Sequence, residues 1–169
     1  MVAALGLLAL GVVSGAMPSA ALPFLRRTPE LSTLEVRGAG DRHLRLVVAD
    51  NHLERVRGLA GRRLVRADGL LLKYDSPRST RLSFARTCQA LDVAFIDDEG
   101  TVLATYRGVE PGTAEPLTSP GATRSALELR EGTLDEFEIA VGSTVVVGRP
   151  DQDVRLASAG LPSFAPCAR

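Results

Sequence analysis

Residues 90–109, ALDVAFIDDEGTVLATYRGV, decide the fold class. They read as a strand, a DDEG turn (97–100) and a second strand. In the first strand Leu91, Val93 and Phe95 share one face, and Asp92 falls on the other with Ala90, Ala94 and Ile96. A carboxylate among small apolar residues needs a partner if it is buried. Asp92 is therefore both a structural landmark and a candidate site residue.

Working outward, the same period continues. DGLLLKY (68–74) reads as a buried strand after a turn, and STRLSFA (79–85) as another strand. Residues 110–121, EPGTAEPLTSPG, hold three prolines and read as a loop. SALELREG (125–132) is a strand in which Glu128 faces away from Leu127 and Leu129. Thr133 and Glu136 have the spacing of a capping box opening a very short helix, Gly142 ends it, and STVVVG (143–148) is a last strand. Upstream, TLEVRG (33–38) and HLRLVVA (43–49) flank GAGD (38–41), a hairpin turn.

One segment departs from period two. Asn51 precedes Glu54 by three residues, a helix start, and Leu53, Val56 and Leu59/Ala60 recur at helical spacing. Gly58 and Gly61 stand where a short helix stops. The sum is a mainly β domain over 33–149, expected as a small β-barrel or a jelly-roll-like sandwich with two short helices. A polar linker (26–32) precedes it and a C-terminal tail (150–169) follows.

Residues 1–25 carry no charged side chain, and an apolar run from Val2 to Val13 precedes small residues and Pro18. This is the pattern of a signal peptide, with an uncleaved N-terminal anchor as the alternative. The expected location is secreted, periplasmic or in the cell envelope, with membrane contact only through an uncleaved N-terminal segment. Cys88 and Cys167 are the two cysteines. Export would allow them to pair, and two unrelated thiols is the equal alternative.

The charge balance narrows the function. Lys plus Arg and Asp plus Glu both number 20, which argues against a nucleic-acid binder. Aromatics are 4% with no Trp, a poor stacking platform. His43, His52 and the distant cysteines make no metal-ligand spacing, and no phosphate loop or nucleophile elbow occurs. No cofactor and no metal are expected, and the chain is expected to be monomeric.

Four pieces together resemble the domain-of-unknown-function 192 family: LVVADNHLERVRGLAGRR, DGLLLKY, LDVAFIDDEGTVL and LELREGTLDEFEIAVGSTVVV. Arg55, Gly58 and Leu59 match an Arg-x-x-Gly-Leu motif, with Arg62 just after it. Gly69 matches a second motif, Leu91 and Asp92 a third, and Leu127, Glu128, Gly132 and Gly142 the last. The chain departs at Ala90, where the family often has Pro, and at Ala60, where it often has Met. The resemblance covers about 34–148. It implies a small β-barrel or jelly-roll-like fold, often exported, and no settled function.

The residues most worth suspecting are Arg55, Arg62, Asp92 and Glu128. The favoured reading is a structural clasp in which Arg55 or Arg62 pairs a buried carboxylate. The next is a polar pocket for a small ligand. The last is paired acid–base catalysis by Asp92 and Glu128 on a glycan-like substrate. The cluster Arg55, Arg57, Arg62, Arg63 and Arg66 reads as a largely solvated helix face, diluted by Asp50, Glu54 and Asp68. The expected role is a non-enzymatic ligand-binding or accessory module of the cell envelope, its partner a small ligand or an envelope protein.

Overall fold

A computed structural model describes residues 31–36, 43–148 and 164–168. In chain order the elements are β1 (Leu31–Val36), β2 (His43–Ala49), α1 (His52–Arg57), β3 (Arg62–Leu64) and β4 (Gly69–Arg78). Then come β5 (Arg81–Leu82), β6 (Leu91–Ile96), β7 (Val102–Val109), β8 (Leu117–Thr118) and β9 (Thr123–Arg130). The last are α2 (Thr133–Glu136), β10 (Val145–Val147) and β11 (Phe164–Pro166).

The centre is a seven-stranded sheet in the order β10-β1-β2-β4-β9-β6-β7. Its neighbours are antiparallel except β2 and β4, which run parallel. A parallel pair needs a long crossover rather than a tight turn. Residues 50–68 supply it, and they carry α1, β3 and the whole arginine cluster. The topology therefore lays this segment over one face of the sheet.

Strands β2, β4, β6 and β9 are apolar on both faces because both faces are covered. Leu44, Leu46, Leu71, Ala94, Ile96, Leu127 and Leu129 pack under Leu134, Phe137 and Ile139 of the α2 region. Val47, Leu70, Leu72, Leu91, Val93, Phe95 and Ala126 pack on the opposite face under Leu59, Leu64, Leu82 and Phe84. All six residues of β6 are buried, and its two faces divide as its sequence alternation requires. Two small sheets, β3 with β11 and β5 with β8, complete a sandwich-like cover on this second face.

The sheet does not close into a barrel. Thr101 and Thr144 form a single bridge between the ends of the chain's edge strands. Val102 N–H bonds Ser143 O and Gly142 N–H bonds Val102 O there, but β10 is only three residues long and no ladder grows.

Several local expectations change. The α1 cap is as read: Asn51 Oδ1 accepts from Glu54 N at 3.0 Å. The stripe on α1 is not a core face, however. Leu53 is 79% and Val56 70% exposed, because the helix ends at Arg57 and only Leu59, past Gly58, turns inward. The strand expected over 79–85 is reduced to β5, and the proline-rich loop contains its partner β8. Thr133 does not cap α2; it is the first helical residue, after Gly132. β1 begins at Leu31, inside the expected linker, and the expected tail contains β11. The leader (1–25), most of the linker, the GAGD turn and residues 149–163 lie outside the described residues.

Candidate functional site

The suspected carboxylates separate. Asp92 of β6 and Glu128 of β9 lie on neighbouring strands, with Val93 opposite Glu128 and Asp92 opposite Leu129. Residues opposite each other share a face, so Asp92 and Glu128 point to opposite sides of the sheet. They cannot act as a catalytic pair on one substrate.

Asp92, only 1% exposed, has main-chain partners. Oδ1 accepts from Gly108 N and Oδ2 from Leu134 N, each at 3.0 Å. The first bond fixes a bulge: the β6–β7 register shifts between Leu91 and Val93, and Gly108 takes φ +57°. The second satisfies an N–H of the first turn of α2, the role the sequence suggested for Thr133. Among the described residues no arginine pairs with Asp92, because Arg55 and Arg62 belong to the crossover on the other face.

Glu128 is the opposite case. It is 5% exposed, and its Oε2 accepts no hydrogen bond from the described residues. Burial pushes its carboxyl up to about 7, against the weaker pull of the Arg62 charge. Gly58 lies over it. A Cβ at Gly58 would stand 3.7 Å from both carboxyl oxygens, and the backbone there has φ +46°, a conformation that favours glycine. Among the described residues no ion pair forms between Glu128 and either suspected arginine.

The two arginines are engaged elsewhere. The Arg55 guanidinium donates to Asp50 O and to Lys73 O, approaches Asp75 at 3.8 Å and lies over the Tyr74 ring. It pins α1 to β4. Arg62 Nε donates to Gly58 O at 2.7 Å, and its guanidinium stacks 3.8 Å from the Phe164 ring centroid. Burial and the nearby Arg57 charge lower its pKa, while Glu128 and Glu54 oppose the shift.

Phe164 is held in place by a clasp. β11 pairs with β3, Cys167 N donates to Gly61 O at 3.2 Å, and Cys88 is disulfide-bonded to Cys167. Residues 164–168 therefore brace Arg62, and Arg62 holds the carbonyl of Gly58, the residue next to Glu128.

Glu128 and Gly58 open onto a cleft of about 390 Å³. Arg55, Arg57 and His52 line it from α1, Tyr74 and Arg78 from β4, and Arg81 and Arg86 from the segment that follows. Burial raises the Tyr74 phenol, partly offset by its hydrogen bond with Thr80. Leu59 and Leu82 give the cleft an apolar side, and Ser79, Thr80 and Ser83 add hydroxyls. The cleft brings together one buried carboxyl, several charged donors and some apolar wall.

Sequence reasoning named Arg55 and Glu128 here but missed Tyr74, Arg78, Arg81 and Arg86. The available signal was RSTRLSFAR (78–86), three arginines in one short connection of a net-neutral chain. Arg63 and Arg66 are exposed, the solvated positions of the cluster. Among the described residues no group of three or more His, Cys, Asp or Glu could hold a metal ion, and no helix is long and apolar enough to cross a membrane.

Solved structures share the fold. A protein of Sinorhizobium meliloti 1021, described as a candidate transcription regulator, is 21% identical with a TM-score of 0.65, over 72% of this chain and 97% of its own. A protein of unknown function from Novosphingobium aromaticivorans DSM 12444 is 23% identical with a TM-score of 0.61, over 69% and 83%. No curated protein sequence matches the chain. The model of the DUF192 family, described as "Uncharacterized ACR", matches residues 33–147. The motif residues Arg55, Gly58, Leu59, Arg62 and Glu128 all gather on the crossover face, and the chain belongs to this domain-of-unknown-function 192 family.

Proposed function

We propose that this domain is a non-enzymatic small-molecule-binding module that works outside the cytoplasm, with the cleft over Glu128 as its binding site. The observation that carries the reading is the Glu128 carboxyl. Its Oε2 is buried without a hydrogen-bond partner among the described residues, yet Glu128 lines an open cleft. Buried polar groups are normally satisfied, and an orphan costs stability. An orphan on the floor of a cleft is accounted for if a ligand completes it.

The Cys88–Cys167 disulfide supports an oxidising compartment, as does the signal-like pattern of residues 1–25. Asp92 faces away and is held by main-chain N–H groups, which removes the second carboxylate that an acid–base pair would need. A thermal-shift screen of the disulfide-bonded protein against organic acids, sugars, nucleotides and amino acids tests the reading. A true ligand at about a hundred times its Kd raises Tm by roughly 10 °C. The same compound leaves folded Glu128→Gln unshifted. A screen in which both proteins respond alike contradicts the assignment.

A further inference from the structure

We infer that the ligand is a small oxyanion-bearing molecule that also carries a hydroxyl or amino donor, with its anionic group among Arg78, Arg81 and Arg86 and its donor on Glu128. This rests on the cleft being the binding site.

The cleft is locally unbalanced in charge. The whole chain carries 20 basic and 20 acidic side chains. The cleft lining holds five arginines and His52 against the single carboxyl of Glu128. Arg55 is committed to carbonyl oxygens and lies near Asp75. The guanidinium groups of Arg81 and Arg86 make no hydrogen bond or ion pair among the described residues, and that of Arg78 only overlies Tyr74 at 5.8 Å.

Exposed arginines alone would be an ordinary wet surface. These three rim the same cleft as the nearly fully buried Glu128, whose Oε2 has no donor among the described residues. Guanidinium forks recognise carboxylate, phosphate and sulfate alike, so the oxyanion is the shared chemistry. The floor adds the second requirement, since a carboxyl under Gly58 meets a hydroxyl or amine far better than another anion. At about 390 Å³ the cleft suits a molecule of sugar-acid size.

Titration calorimetry on the disulfide-bonded protein tests this with glucuronate, glucose 6-phosphate, glucose and inorganic phosphate. The two anionic sugars bind; glucose and phosphate bind about tenfold more weakly or not at all. Replacing Arg78, Arg81 and Arg86 together by Gln weakens the anionic sugars by about tenfold or more, and replacing them by Lys restores part of the loss. Glu128→Gln also weakens them. A single cooperative melt of each unliganded variant shows that the fold survives.

If glucose binds as well as its acid, and the arginine variants bind normally while Glu128→Gln does not, the anion inference falls and the cleft assignment stands. If phosphate alone matches the sugar phosphate, the donor half falls. If no probe binds the wild type, the inference falls. If the broad thermal-shift screen is also blank, the binding reading falls with it.

Discussion

Gly58 sits over Glu128 so closely that a Cβ there would touch both carboxyl oxygens at 3.7 Å. A glycine from the helix stop of the crossover and an acid from a central strand thus make the floor and lip of one cleft. The same contact explains why the two residues carry different risks. Gly58 holds a positive φ that other residues tolerate poorly, and Glu128 holds a carboxyl away from solvent.

The first consequence is a pH dependence. Glu128 titrates at about 7 in the folded chain against 4.5 when exposed, so the folded state keeps a proton that the unfolded state releases. Stability is therefore greatest below 4.5 and falls as the pH rises to about 7, by about 3 kcal/mol for this group. Glu128→Gln removes this slope and is the more stable protein at about pH 8. Urea denaturation of both proteins at about pH 5 and about pH 8 checks it.

Asp92 acts on stability and not on binding. Asp92→Ala leaves the N–H groups of Gly108 and Leu134 without acceptors in the core. The expected loss is about 3 kcal/mol of stability, because each buried orphan costs on the order of 1–3 kcal/mol. Ligand affinity of the folded fraction stays unchanged, since Asp92 faces away from the cleft. Denaturation together with calorimetry separates the two effects.

The disulfide closes a span of 79 residues. In the chain-entropy model a loop of this length stabilises by about 4–5 kcal/mol. Cys88→Ser or reductant therefore lowers the melting temperature sharply. Release of β11 also removes Phe164 from under Arg62, so ligand binding weakens even under conditions where the reduced protein remains folded.

Arg55→Ala breaks the pin between α1 and β4 and costs about 2 kcal/mol, since it removes charged donors from two carbonyls. Arg63→Ala and Arg66→Ala, on the exposed side, stay within about 0.5 kcal/mol of wild type. A melting series over these positions distinguishes a structural arginine from wet ones.

Local periodicity made much of the fold legible. The alternation in LDVAFI placed Asp92 and Phe95 on opposite faces, and the Asn51–Glu54 spacing marked the start of α1. What remained hidden was nonlocal. Nothing in the order of residues says that β2 and β4 are parallel, and that pairing is what carries the crossover over the sheet. The partner of Asp92 was misread because a buried carboxylate suggests an arginine, while here two backbone N–H groups from β7 and α2 supply the need. Leu53 and Val56 mimicked a core stripe on a helix too short to present one. Arg78, Arg81 and Arg86 carry no motif and reach the edge of Glu128's cleft only because β5 brings their segment there.

The most direct test follows the Glu128 carboxyl carbon by NMR through a pH titration of the disulfide-bonded protein, assigned with Glu128→Gln. The account predicts a midpoint near 7, the mark of a carboxyl that burial holds apart from any compensating charge. A midpoint at or below 4.5 would mean that Glu128 is solvated or paired with Arg62, and would contradict an unpartnered acceptor at the floor of a binding cleft.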